Sequence, residues 1–384
     1  MNPAPRSWFD RAACSPLLRL AAIAFALTCI LARWDAVTGY TALMRFGENF
    51  ADRRLPALQT LPIAPSAGDG YDGQFYAQIA VQPDVTDPNL IRALDKPSYR
   101  PRRILIPVLA HVLGGGNPWI VLQAYALLHV AAWIALAAVL WRLLPPTDWR
   151  ATAGWAGAVL GTGALDSMRM TLTDLPAALL LVLAALAVER GRPLLAGLAM
   201  AAAGFTREVS LQGALLLRRA DPLSAWRTFW LRAAAAGPVI IWGVWLAWRL
   251  PGAAGHEGNI DWPGFAFARE LWRQAGLVAG GDLDNQWIFG VLGGLGLAAQ
   301  SAFVLRQWRM FTRSPWVALG LPFAGLFWLI GTDPWLDYRA VARDCLPLTI
   351  AFNLLWTRRS DASAWWLLAN VPVLDGLQRL TWPS

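Results

Sequence analysis

The chain has 384 residues, 56% hydrophobic and only 15% charged, with a mean hydropathy of +0.40. Soluble domains carry roughly 25% charged residues, and several apolar runs here approach the roughly 20 residues of a spanning helix. The composition therefore argues against a soluble globular chain and for an all-α, polytopic membrane helix bundle. The net charge of +8 does not indicate nucleic acid, because the arginines cluster in short gaps between apolar runs, as the positive-inside bias predicts.

In chain order, the first apolar run, 15–33, follows Arg6 and Arg11 and contains Arg19. No small-x-small cleavage site follows it, which predicts an uncleaved first helix with a cytoplasmic N-terminus. Residues 34–117 form the largest hydrophilic stretch and are expected to make a first extracytoplasmic loop with juxtamembrane helices. Within it, Gly70 and Gly73 flank Asp72, and a short helix is expected over 74–81 with Asp72 at its N-cap position, a role worth about 1 kcal/mol. The apolar run 104–113 is too short to span and reads as a re-entrant or interfacial helix. Further apolar segments at 118–141, 151–165, 175–188, 193–205, 209–217, 233–248, 287–305, 315–331, 344–357 and 364–374 bring the expected total to about 10–11 transmembrane helices in a single domain, 1–384. A second extracytoplasmic loop, 249–285, is Gly-rich with scattered acids and reads as a cover.

Arginines fall in alternate gaps: Arg142 and Arg150, Arg190 and Arg192, Arg218, Arg219 and Arg227, Arg306, Arg309 and Arg313, then Arg358 and Arg359. With the N-terminus inside, each cluster is cytoplasmic. That holds only if 193–205 and 209–217 are two short helices meeting at "TRE" (206–208) rather than one span. Short helices meeting at polar hairpins imply an outward-facing, water-accessible cavity, since charge at membrane depth survives only in a cavity or buried in protein. Asp166, Arg169, Asp174, Arg207 and Glu208 would point into it, joined by Asp333, Asp337, Arg339, Arg343 and Asp344 of "GTDPWLDYRAVARD". The 23 tryptophans concentrate near the ends of apolar runs, as interfacial belts do. Cys14, Cys29 and Cys345 make no disulfide framework, and His111, His129 and His256 share no zinc-ligand spacing.

In "YDGQFYAQIA" (71–80) an aromatic–Asp pair precedes Tyr76 by one helical turn and is followed by Ile79-Ala80. This resembles the first-loop motif of GT-C glycosyltransferases, especially the branch related to the GPI mannosyltransferase PIG-V. "YRPRRILIPVLA", "TLTDLPAALLLVLAAL" and "GFTREVSL" are similar to stretches that follow it in bacterial members, so the resemblance covers roughly 60–220 in order. The chain departs from that branch in having Tyr71 where it has Trp and Gly70 where it has His.

The resemblance implies transfer of a sugar from a polyprenyl-phosphate donor to a glycan or lipid acceptor, on the extracytoplasmic face of a bacterial inner membrane. An inverting displacement needs one carboxylate as base, for which Asp72 is placed. The lipid phosphate leaves as a stable anion, so the other requirement is positive charge, which arginine's planar fork supplies. Arg102 and Arg103 are the nearest candidates, with Arg207 and Arg339 next. Arg100, Arg102 and Arg103 have an alternative role as lipid-headgroup contacts, and Arg207 and Glu208 an alternative as a mutual structural pair. Asp69 is a substrate-binding candidate or a turn residue. Asp166 and Asp174 would hold sugar hydroxyls, pair with Arg169, or share a divalent cation (Mg or Mn) with Asp72, although no spacing demands a metal. The rival readings are a transporter or flippase, against which stands the absence of an internal repeat, and a polymerase or ligase of lipid-linked glycans.

Overall fold

Polar hairpins and proline-started helices set the architecture. The computed structural model describes residues 15–219, 225–250 and 259–381, so Arg6, Arg11, Cys14 and His256 lie outside the described residues. α1 (Pro16–Leu31) leads into the first loop, whose longer helices are α2 (Gly73–Val81) and α3 (Leu105–Leu113). The bundle continues with α4 (Pro118–Leu143), α5 (Trp149–Val159), α6 (Thr162–Arg169), α7 (Asp174–Glu189) and α8 (Pro193–Thr206), then a 3₁₀ segment, Glu208–Arg219. It ends with α9 (Ala225–Arg249), α10 (Phe265–Ala279), α11 (Asn285–Arg306), α12 (Pro315–Leu329), α13 (Tyr338–Asp344), α14 (Leu346–Thr357) and α15 (Pro372–Thr381). Among the described residues the only sheet is a two-residue parallel pair in the first loop, β1 (Phe46–Gly47) with β2 (Pro65–Ser66).

The caps follow from local chemistry. α1, α4 and α12 each begin with proline after a short polar residue, and Ser15, Asn117 and Ser314 accept the N–H groups of Leu17, Ile120 and Val317. Proline costs nothing in the first turn, where its missing N–H would have no partner anyway. α5 stops at Val159, and its orphan carbonyl accepts the buried Trp133 indole N–H at 2.9 Å, which satisfies both groups in the core.

Three helices, α4, α9 and α11, are long and apolar enough to cross a membrane, and the 26 residues of α4 rise about 39 Å. α1, α8, the 3₁₀ segment, α12 and α14 are apolar but shorter, with 10–17 residues. Among the described residues, the expected 10–11 spans thus resolve into three of full length and a set of shorter apolar elements. The segment expected as a short α-helix at 209–217 is a 3₁₀ helix instead. Its 12 residues rise about 24 Å, against about 18 Å for the same residues in an α-helix. α3 is amphipathic, packing on α2 and α4 while Val108, Leu109, Val112 and Leu113 are exposed.

Arginines from several of these clusters meet at one end of the bundle. Arg19, buried in α1, donates to Leu144 O at 2.6 Å and Thr152 Oγ1 at 3.2 Å. Arg150 reaches Arg359 O at 3.2 Å, Arg359 reaches Gln307 Oε1 at 2.6 Å, and Arg358 pairs with Glu189 at 3.2 Å. The first loop and the hairpins α6–α7, α8–3₁₀ and α12–α13 lie at the opposite end.

Candidate functional site

The scaffold of the site is α2, whose nine residues are all buried. Gln74 accepts the Gly47 N–H at 3.0 Å and donates to Asp69 O at 2.7 Å; Gln78 accepts the Leu55 N–H at 3.0 Å. These two amides pin the surrounding irregular loop onto the helix. Two glycines are obligatory. Gly70 has φ +66°, and a Cβ there would lie 2.1 Å from Arg45 O; a Cβ at Gly73 would lie 2.5 Å from Met170 O. The second contact brings the α6–α7 turn against Asp72.

Asp72 occupies the N-cap position of α2 but makes no side-chain capping bond. Its carboxylate instead accepts from Arg100, Nη1 to Oδ2 at 2.6 Å and Nη2 to Oδ1 at 2.7 Å. Burial favours the neutral acid, but the Arg100 guanidinium outweighs it and holds the carboxyl below the ordinary aspartate range. The Asp72 side chain remains 40% exposed. Arg100 is shared with Asp95, at 2.8 and 2.7 Å, and lies 5.0 Å from the Phe75 ring centre. Arg103 forms a two-point pair with Glu208, both contacts at 3.0 Å, and donates to Tyr76 Oη at 2.8 Å and to Tyr99 Oη. Arg100 and Arg103 share one side because the backbone between them is a 3₁₀ turn, which eclipses positions i and i+3.

A second arginine group completes the wall. Arg207 donates to Asp174 and Asp344. Arg343 donates to Asp166 at 3.0 Å and to Tyr71 Oη at 2.5 Å, and approaches Asp174 at 4.0 Å. Tyr71 therefore does what a tryptophan in its place could not, since an indole N–H cannot accept from arginine.

Together these residues border a cavity of about 660 Å³. Its lining mixes charged side chains, Asp72, Arg103, Asp174, Arg207, Glu208 and Arg343, with apolar ones, Leu172, Val209, Leu211, Leu326 and Ile330. Of the residues expected from sequence, Asp72, Tyr76, Arg103, Asp174, Arg207, Glu208, Asp333, Arg343 and Asp344 line this cavity. Six do not. Asp166 pairs with Arg169 and Arg343, and Asp337 with Arg339. Asp69 is exposed and bonded to Asn49 at 2.8 Å. Arg102 points aside and bonds Ser98 O at 3.3 Å. Arg169 is buried behind Asp166, paired with it at 2.9 Å. Arg339 pairs with Asp337 and lines a separate recess beside Arg379. The expected mutual pairing of Arg207 and Glu208 is absent, because each reaches across to a different element. Sequence reasoning ranked Arg100, Arg343 and Asp344 too low. The i, i+3 spacing of Arg100 and Arg103 around Pro101 was the usable signal for the first of these.

The donor set does not fit the shared cation. Asp72, Asp166 and Asp174 are each already ion-paired to guanidinium groups, and among the described residues no three His, Cys, Asp or Glu side chains converge as metal ligands. Comparison with protein-family models, curated proteins and solved structures returns no match. What the fold and site define is therefore a class: an all-α bundle with a cavity lined by both charged and apolar side chains.

Proposed function

We propose that the chain is a GT-C-type membrane glycosyltransferase, moving a sugar from a polyprenyl-phosphate donor to a hydroxyl acceptor at the extracytoplasmic face. The observation that carries this reading is the mixed lining of the cavity. A substrate with an anionic headgroup and an apolar tail matches a cavity lined by guanidinium groups together with leucine and isoleucine side chains. The Asp72 side chain is 40% exposed and lines the cavity, where an acceptor hydroxyl would lie.

In the proposed step the acceptor oxygen forms a bond to the anomeric carbon while the bond from that carbon to the phosphate oxygen breaks. Polyprenyl phosphate leaves with the electron pair, and the hydroxyl proton passes to Asp72. Arg103, Arg207 and Arg343 supply positive charge to the departing phosphate. Arg100 holds Asp72 in its ionised, proton-accepting form. The gathering of acids from the first loop and the α6–α7 and α13 segments around one cavity favours chemistry at a surface over passage through the membrane.

The test is release of polyprenyl phosphate by purified protein supplied with polyprenyl-phosphate sugars and an acceptor extract. Asp72→Asn should lower turnover by at least about a hundredfold, the scale of a missing general base, with the fold intact. Unchanged turnover in Asp72→Asn removes this assignment.

A further inference from the structure

The polarity of α10 is inside out. At one residue per turn it buries Ala266, Glu270 and Gln274, with Glu270 only 1% exposed and held by Arg273 at 2.6 Å and Arg269 at 3.5 Å. Its outer side and the residues before it present Trp262 at 81% exposure, Trp272 at 84%, and exposed Ile260 and Phe265. A helix lying on a protein surface in water does the reverse. Burying a carboxylate and an amide while exposing two indoles is favourable only where the outer medium is itself apolar or interfacial.

α9 points to the same medium and gives its depth. Trp226, Phe229 and Trp230 cluster near one end and Trp242, Trp245 and Trp248 near the other, with Ile240 and Ile241 exposed between. The two clusters are separated by about 25 Å of helix, close to the roughly 30 Å hydrocarbon core of a bilayer. The second cluster is joined to the cavity end, since Trp242 donates to Pro101 O at 3.0 Å. The chain before α10 is at that end too. Asp261 and Gly264 donate to Leu329 O and Trp328 O at 3.1 and 2.6 Å, and Ile260 lines the cavity with Leu326.

We infer that α10 and the residues leading into it form an interfacial helix whose partner is the lipid bilayer. Trp262, Phe265 and Trp272 enter the headgroup–acyl boundary at the cavity end, and Arg269 and Arg273 remain at the level of the lipid phosphates. The helix is a float that holds the cavity mouth at the lipid surface, where an amphipathic substrate can enter sideways. This does not depend on sugar transfer.

Nitroxide labels at Trp272→Cys, Ile241→Cys and Asn89→Cys, in a Cys14→Ser, Cys29→Ser background, test it by collision with oxygen and a water-soluble nickel chelate. The samples are nanodiscs of phosphatidylethanolamine and phosphatidylglycerol. The Trp272 label is expected about 5–10 Å below the headgroup boundary, the Ile241 label deeper and the Asn89 label in water. A Trp272 label as open to nickel as that at Asn89, with Ile241 still deep, overturns the inference alone. If Ile241 is aqueous as well, the membrane reading falls with it. A Trp272 label shielded from both colliders and broadened by a second label shows a second copy on this face and also overturns the inference. Trp262→Cys reports the same face if Trp272→Cys does not fold.

Discussion

Glu208→Gln probes the strut between the first loop and the 3₁₀ segment without changing side-chain shape. Arg103 is 7% exposed and Glu208 27%, so the substitution leaves a largely buried guanidinium facing a neutral amide. Breaking a fully buried pair from one side costs about 3–5 kcal/mol. Arg103 keeps its bonds to Tyr76 and Tyr99, and the cavity admits water at Glu208, which brings the expected loss to about 2 kcal/mol. Removing both partners with Arg103→Met and Glu208→Leu should cost less than the sum of the single changes, with a coupling of at least about 1.5 kcal/mol. The assay is the free energy of sodium dodecyl sulfate unfolding in mixed micelles, for the parent, both single variants and the double. Additive losses, or a Glu208→Gln variant as stable as the parent, would show that the pair does not hold the loop to the bundle.

Three further outcomes follow from the same geometry. Because the folded-state pKa of Asp72 lies below its ordinary value of 3.8, its pairing contributes stability at and above that value and loses it as pH falls further. For the free enzyme, kcat/KM should then stay level from neutrality down to about pH 5, and an acid limb near pH 6–7 would contradict an ionised Asp72 base. A methyl group at Gly163 would lie 2.4 Å from Ala342 O. Gly163→Ala should therefore separate α6 from α13, cost about 1–3 kcal/mol by overpacking, and loosen the Asp166–Arg343 pair; a neutral effect would mean that this contact is not tight. Asp69→Cys should react with a membrane-impermeant maleimide in intact spheroplasts, and labelling only after lysis would reverse the proposed orientation. That position is preferable to Gly70, where a side chain would meet backbone.

Much of the helix framework is legible along the chain, because spanning and packing helices need continuous apolar runs and mark their ends with proline, glycine and arginine. The limits of α2, α4 and α11 agree with the sequence reading to within a few residues. In the loop 249–285, expected as a Gly-rich cover, the described part carries a 15-residue helix with exposed tryptophans, which the sequence reading did not foresee. Residues 251–258 of that loop lie outside the described residues.

The sequence by itself determined the all-α class, the alternating arginine clusters and the presence of Asp72 in a glycine-bounded turn. Those are local properties, set by hydropathy over a helix length and by backbone permissions at single residues. Only the tertiary structure decided which arginine meets which acid. Arg100 and not Arg102 holds Asp72, Arg207 passes over its neighbour Glu208 to Asp174 and Asp344, and Arg343 joins Tyr71 to Asp166. These pairings join residues up to 272 positions apart. Arginine's charge and reach are the same wherever it stands in the chain, so its partner is chosen by the packing that brings separate hairpins to one cavity.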